Sequence, residues 1–388
     1  MENNKDKNSP IGERGAILVV GAGIGGQSVA IGLKKAGFEV DVVEIHKEFN
    51  VYGVGIIQQA NALRALDAIG VADEAMRRGS PYGKVKLCLP HGVQIGEAGT
   101  PPIGRFPSHN GISRKILHDV LFEEAQKVGL KYRMGVTVES IDNQVDAAKV
   151  TFTDGTSATY DVVIAADGVN SKVRKLIFGE FKSTYVGLSV WRYAFKRPAS
   201  LDTGYIFFNK KHKLGVIPMT AEKCYIFVNS AEGDNPMIPE DQLVEKLKSY
   251  MAAYPIPMVQ ELIPQVTDAK LVNYRTLETL KMPAPWYKNR VVVLGDAAHT
   301  TIPQLGSGAA LAIEDAVVLI EELQKEGTVE EVFERYMKRR YDRCKMVVDV
   351  SETLGAWELL EYNDQPLPEG ANMGMLMGKT GMALTQEI

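Results

Sequence analysis

Six residues near the start of the chain, Gly21-Ala22-Gly23-Ile24-Gly25-Gly26, have the types and spacing to hold a pyrophosphate. In such a run Gly21 permits a tight turn, Gly23 lets backbone approach the phosphates, and Gly26 lets the following helix pack closely on the preceding strand. The helix start then offers unpaired N–H groups and the positive end of its dipole to an anion. Glu44 follows Gly21 by 23 residues, near the ~20 expected of an acid that binds a ribose. An acid there favours free ribose hydroxyls over a 2′-phosphate, so the expected dinucleotide is FAD or NAD rather than NADP. A second set, Gly295-Asp296-Ala297-Ala298-His299, is followed by Pro303 and by Gly306-Ser307-Gly308-Ala309-Ala310. Asp296 has two readings here: a carboxylate that accepts hydrogen bonds from a polyol, or the ordinary acid of a strand-to-helix turn. The later glycine run can present N–H groups to a carbonyl that turns negative on reduction.

The surrounding elements must place these residues. Ala16–Val20 (AILVV) has the length and β-branching of a buried parallel strand, 27–36 has helical spacing, and 39–43 reads as the next strand. This is a βαβ unit of about 30 residues. Further helices are expected over 59–69 and 113–127, and strands over 136–141, 149–152 and 161–165, with Asp154-Gly155 as a hairpin signal between the last two. Residues 83–105 are irregular and strand-like, and 186–228 alternates aromatic and β-branched residues as strands do. A polar helix is expected over 240–254, a buried strand over 290–294, a long helix through Leu323, and helix again from 329 to about 360. The expected fold is therefore α/β with a discontinuous cofactor-binding domain (12–82, 106–185 and 286–345). A β-rich domain (83–105 and 186–285) is inserted in it, and a helical tail (346–388) follows.

Composition narrows the class. Hydrophobic residues make up 45% and charged residues 24%, as in an ordinary folded protein. The net charge of −4 gives no basic surplus for nucleic acid or an anionic membrane surface. No run reaches the ~18 apolar residues of a spanning helix, and the polar start is unlike a secretory leader, so a cytoplasmic protein is expected. Three cysteines lie far apart, which argues against a disulfide framework or a metal site and leaves buried thiols as the expectation.

The motifs together carry a resemblance. GAGIGG with Glu44, the segment DVVIAADGVNSKVR containing Asp167 and Gly168, and GDAAHTTIPQLGSGAALAIEDA resemble the three motifs of the class A FAD-dependent aromatic monooxygenases, the para-hydroxybenzoate and salicylate hydroxylase family. The likeness includes GVGIIQQANALRAL, beginning at Gly53, and the helix opening Ile112-Ser113-Arg114; it spans about 15–345. It implies a Rossmann-like FAD-binding domain with an inserted mixed β-sheet substrate domain and C-terminal helices. Residue by residue, it implies that Glu44 binds the adenosine ribose, Arg114 reaches the FAD linker, and Val138 contributes backbone near the adenine. Asp167 and Gly168 would keep their segment close to the pyrophosphate, Asp296 would take the ribitol, and Pro303 with Gly306 to Ala310 would flank the isoalloxazine. Gly55 joins this set as a loop glycine after Glu44. Two departures stand out: Ile45 replaces the family's frequent Arg, and Ser307 and Ala310 replace its frequent Gln and Asn, leaving backbone amides as the flavin contacts.

The resemblance further implies NADH or NADPH as a transient co-substrate. It also implies O₂, activated as a flavin C4a-hydroperoxide that hydroxylates a small aromatic or heteroaromatic compound. No side-chain acid or base is assigned; His299 is expected to brace its turn. Arg192, Tyr205, Tyr225 and Pro303 are the candidates for the substrate pocket. Arg192, mid-strand among apolar residues, either pairs with an acidic or phenolate substrate or belongs to a structural ion pair. Arg335, Lys338, Arg339, Arg340 and Arg343 are expected to form a solvated helix face. A monomer or homodimer is expected. Two alternatives stay open: an FAD monooxygenase of non-aromatic substrates, such as an antibiotic-inactivating hydroxylase or an epoxidase, and a non-catalytic flavin-binding redox module.

Overall fold

The computed structural model describes residues 15–49, 54–233 and 237–388, so Gly53 lies outside the described residues. The short apolar runs assemble as the interior of one sheet. Its six strands lie in the order Tyr287–Lys288, Val291–Val293, Val162–Ala165, Ala16–Val20, Glu39–Glu44, Tyr132–Met134, parallel except for the first. The central strands are buried along nearly their whole length, as sheets covered on both faces require. Helices Ile24–Lys35 and Gly308–Leu323 pack against each other there. A Cβ at Gly32 would sit 2.2 Å from Ile320 Cδ1, so that glycine sets how close the two helices come.

One hairpin differs from the expectation. Asp154-Gly155 joins Ala148–Phe152 to Ser157–Tyr160, a strand the residue pattern did not reveal, and Val138–Asn143 completes that three-stranded sheet. Val162–Ala165 instead runs parallel to Ala16–Val20. The burial patterns explain the split: the hairpin strands alternate between inside and outside, whereas Val162–Ala165 is buried throughout.

The aromatic strands build an eight-stranded mixed sheet. Its order is His299–Thr300, Asn273–Lys281, Thr184–Lys196, Lys223–Ala231, His212–Pro218, Gly204–Phe208, Val85–Cys88, Gln94–Ala98. The last two strands come from the irregular 83–105 stretch, and Val85–Cys88 runs parallel to Gly204–Phe208. Trp191, Tyr193 and Phe195 point to one face and form a core with Leu247, Met251 and Tyr254, on and just after helix Glu240–Ala252. The opposite face meets a small sheet of Gly55–Gln59, His109–Ser113 and Ser80–Tyr82.

A 34-residue helix, Val329–Tyr362, opens on a capping box between Thr328 and Glu331. Its basic residues do not form the expected solvated face. Arg340 is fully buried against Glu314 and Asp315, Arg343 pairs with Glu314, and Arg335 and Arg339 pair with Glu322. Only Lys338 of the five is exposed. The reason is tertiary: helix Gly308–Leu323 carries buried acids on the side facing this helix, and buried charges require partners. The chain closes with helix Met373–Thr385. No helix among the described residues is long and apolar enough to cross a membrane.

Candidate functional site

At the first glycine turn, each glycine has a different neighbour. Gly21 has φ +99°, and a Cβ there would lie 2.5 Å from Ala166 O; at Gly26 it would lie 1.9 Å from Gly21 O. Gly25 faces Leu294 and Ala312. Gly23 has an ordinary φ of −72°, is exposed, and a Cβ there would meet no protein atom within 4 Å. Nothing inside the protein requires glycine at 23, which is what an approach to an external group would look like. The helix it precedes has no side-chain cap and no acid in its first turn, so its N–H groups and positive dipole end stay available.

Glu44 is held over this turn. Its Oε2 accepts from Ala22 N at 2.8 Å and its Oε1 from His46 N at 3.0 Å. His46 Nδ1 stands 3.9 Å from the same carboxylate, and Ile45, in the position of the family's frequent Arg, is 62% exposed. Val136 N donates to Glu44 O, which brings the start of the Val138–Asn143 strand beside Glu44, with Val138 itself buried. Asp167 is spent locally. Its carboxylate accepts from Ser171 Oγ at 2.5 Å and from Val173 N at 3.1 Å, closing the turn at Gly168 (φ +77°) into helix Lys172–Phe178. Burial raises its pKa while these donors pull it down. Arg174, which sequence reasoning missed, donates to Ala297 O and Val169 O at 2.7 Å each and so ties this segment to the second glycine turn.

The second turn rests on a buried polar cluster. Asp315 Oδ2 accepts from Gly295 N at 2.9 Å and from His299 Nε2 at 2.6 Å, while Oδ1 accepts from Arg340 Nε at 2.8 Å. Burial raises the Asp315 carboxyl, but His299 and Arg340 outweigh it and hold the pKa well below the usual carboxylate range. For His299 burial works the other way, and Cys344 and Asp315 outweigh it, keeping the imidazole pKa well above its ordinary value. His299 therefore braces the turn. The three cysteines are buried and unpaired, but Cys344 lies in this polar cluster rather than among apolar groups. Asp296 is exposed; desolvation nonetheless raises its pKa, opposed by His299 and Arg114.

The loop carrying Pro303 and Gly306 is braced by Gln59. Its Nε2 donates to Leu305 O at 2.7 Å, and Ser307 Oγ lies 2.9 Å from Gln59 Oε1 and 3.1 Å from Leu305 O. The Ser307 hydroxyl is thus turned inward. Helix Gly308–Leu323 starts without a side-chain cap or an acid in its first turn, leaving the amides around Gly308, Ala309 and Ala310 unneutralised. Gln59 lay inside one of the quoted segments, but no pattern in the residues gave it this role.

Arg192 and Tyr225 share the sheet face turned toward the Gly55 strand. Arg192 pairs in register with Phe227, and Ala194 with Tyr225. Gly55 is explained by this contact: a Cβ there would lie 2.2 Å from the Tyr225 ring. Arg192 has no carboxylate or hydrogen-bond partner among the described residues, so the structural ion pair is not what holds it. Burial, with Arg114 nearby, lowers its pKa to about 10. Burial likewise pushes the Tyr225 phenol up to about 12, opposed by Arg192 and Arg114. Arg114 opens helix Arg114–Lys127 with a buried, unpartnered Nε and lies within electrostatic reach of Arg192, Tyr225 and Asp296. Tyr205 is a correction. It shares a face with Val216, Ile226 and Tyr193, the side covered by helix Glu240–Ala252, and its hydroxyl meets Asp202 and Lys86 at 2.8 and 2.9 Å. Alternation showed which residues share a face, not which face is covered.

Comparison with known proteins agrees with this geometry. The family model described as an FAD binding domain matches residues 14–351. The FAD-dependent urate hydroxylase of Mycolicibacterium vanbaalenii is 31% identical over 320 residues, 78% of this chain and 78% of its own. The 6-hydroxynicotinate 3-monooxygenase of Bordetella bronchiseptica is 29% identical over 369 residues, 90% and 93% of the two chains. The fold is that of Klebsiella pneumoniae HpxO crystallised with FAD and uric acid, with a TM-score of 0.81 at 24% identity over 96% of this chain and 97% of that one. A domain match over most of the length, on a chain whose two glycine turns are arranged in this way, makes the protein a member of the FAD-dependent monooxygenases that share this FAD binding domain.

Proposed function

We propose that this monooxygenase hydroxylates a planar, anionic aromatic or heteroaromatic compound bound against the sheet face that carries Arg192 and Tyr225. One observation carries the reading: Arg192 is a half-buried guanidinium with no carboxylate partner among the described residues and with a second arginine, Arg114, nearby. A half-buried cation without a counter-charge is stabilised by an anionic ligand placed against it. The relatives point the same way, since urate and 6-hydroxynicotinate are planar nitrogen heterocycles with acidic groups.

The residues present fit FAD. Gly23 leaves room that no protein atom uses, both glycine-turn helices keep uncapped N-termini, and Arg114 keeps an unpartnered Nε. Glu44 would hold the adenosine ribose, Gly23 and the following amides the pyrophosphate, Arg114 the linker, and Asp296 the ribitol. The amides of Gly308 to Ala310 would face the flavin carbonyls, with Pro303 beside the ring. When bound, FAD supplies the redox chemistry, taking electrons from NADH or NADPH and using them to activate O₂. The chain itself orients the substrate through Arg192 and excludes water with the apolar cluster of Tyr82, Ile217 and Met219. The division into cofactor and substrate domains belongs to this reading.

The test is kinetic. Arg192→Leu should lower kcat/KM for an anionic substrate by roughly 30-fold or more, the scale of losing one buried charge partner. Arg192→Lys should recover part of it. Equal turnover by wild type and Arg192→Leu would refute the assignment.

A further inference from the structure

The C-terminal turns of helix Val329–Tyr362 reach the loop that carries Pro303. Gly355, buried in the interior of that helix, marks the approach: a Cβ there would lie 2.6 Å from Ile302 Cδ1 and 3.9 Å from Gln304 Cδ. Glycine weakens a helix interior, and here it admits the loop. Three residues on, Glu358 joins three elements. Its Oε2 accepts from Gln304 Nε2 at 3.2 Å, and its Oε1 pairs with Nζ of Lys213, on strand His212–Pro218 of the eight-stranded sheet. Gln304, Glu358 and Lys213 are all buried, and Ile302 beside them packs with Leu188, Val190 and Leu277 of the sheet and with Tyr362 of the helix. In such surroundings a polar group without its partner is expensive.

This run of bonds ends at the loop. Among the described residues the Gln304 side chain bonds Glu358 alone, and its Oε1 has no partner. The loop itself is short, a single 3₁₀ turn over Pro303–Leu305 that ends at Gly306 with φ +64°. Gln59 already holds its Leu305 carbonyl, so Glu358 supplies a second hold, on the neighbouring residue and from a different element. A buried ion pair is weak evidence for stability, since apolar groups of similar volume often serve as well. What the pair does supply is direction: Lys213 fixes the carboxylate that receives Gln304. Lys213 opposes Asn229, which opposes Val190, so it lies on the same sheet face as Arg192. We propose that Glu358 is a positioning residue for the flavin: held by Lys213, it fixes Gln304 and so sets where Pro303 and the amides after it stand against the bound ring. The proposal rests on the reading that this loop flanks the isoalloxazine, and it ties that loop to the sheet that carries Arg192.

The test titrates FAD into the full-length apoprotein and reads its Kd and the visible absorbance bands of the bound flavin, with apoprotein Tm alongside. Gln304→Leu keeps the Lys213–Glu358 pair and cuts only the tie to the loop. It should raise the FAD Kd about tenfold, the scale of one hydrogen bond to a charged group. It should also shift the flavin bands while apoprotein Tm stays within a few degrees of wild type. The Lys213→Met, Glu358→Leu double variant, which replaces the pair by apolar groups, should give the same Kd and band shift. Adding Gln304→Leu to it should change neither further, because all three residues act through one tie. Either a wild-type Kd or unshifted bands in Gln304→Leu would make the tie merely structural and overturn the proposal, whatever happens to Tm. Effects that add in full when Gln304→Leu joins the double variant would overturn it too. If the double variant does not fold, Gln304→Leu alone decides. Pro303→Ala, which alters the group set beside the ring, separates this proposal from the reading beneath it. Bands that move in Pro303→Ala but not in Gln304→Leu sink the tie and leave the loop at the flavin; bands that move in neither sink both.

Discussion

Two glycines three residues apart, Gly23 and Gly26, should respond in opposite ways to the same added methyl group. At Gly26 a Cβ would sit 1.9 Å from the Gly21 carbonyl, a backbone atom that cannot yield. Gly26→Ala should therefore fail to fold or lose several degrees of Tm. At Gly23 the Cβ meets nothing in the protein, so Gly23→Val should keep its apoprotein Tm within about a degree and lose FAD. Thermal melts paired with flavin content after reconstitution check both. A Gly23→Val protein that stays fully yellow would show that the pyrophosphate lies elsewhere. These roles were legible in the residues because turn, helix start and acid are close in sequence. Arg192 was legible only as an oddity: its position in a strand was plain, but the absence of a partner depends on what every distant segment brings near it.

At the scale of elements, the contact between helices Gly308–Leu323 and Val329–Tyr362 is ionic as well as apolar. Arg340 and Asp315 are both fully buried, and Arg340 also reaches Glu314 at 2.9 Å. Arg340→Met leaves two buried acids short of a partner and should destabilise the protein by about 3–5 kcal/mol, measured by urea unfolding. The Asp315→Asn, Arg340→Met double variant should lose less than the sum of the single changes. Glu322 adds a pH dependence. It accepts from Lys325, Arg335 and Arg339, which outweigh burial and bring its carboxyl down to about 2 from an ordinary 4.5. A depressed folded-state pKa stabilises above the unfolded value, so this contribution is complete above about pH 5 and is lost as pH falls toward 2. Glu322→Gln should flatten the acid limb of the stability curve in that window; an unchanged limb would contradict the pairing. None of this was visible in sequence. The arginines repeat at helical spacing like a solvated face, and only the packed neighbour, with its acids turned inward, reverses that.

For the whole molecule, the decisive feature is which sheet face meets which element. The parallel sheet and its glycine turns followed from short apolar runs and local motifs. The eight-stranded sheet did not, because two of its strands come from the 83–105 stretch and its faces are told apart only by the helix that covers one of them. That is why Tyr225 remains beside Arg192 while Tyr205 leaves it. The central claim is that FAD bound at the glycine turns oxygenates an anionic aromatic compound held at Arg192. The most direct test is turnover of FAD-loaded protein under ¹⁸O₂ with a panel of aromatic and heteroaromatic acids, following NADH or NADPH oxidation and product mass together. At least one acid should stimulate nicotinamide oxidation and yield a product heavier by one ¹⁸O atom, with both signals collapsing in Arg192→Leu. Stimulated oxidation that gives only peroxide with every acid, or labelled product undiminished in Arg192→Leu, would contradict the account.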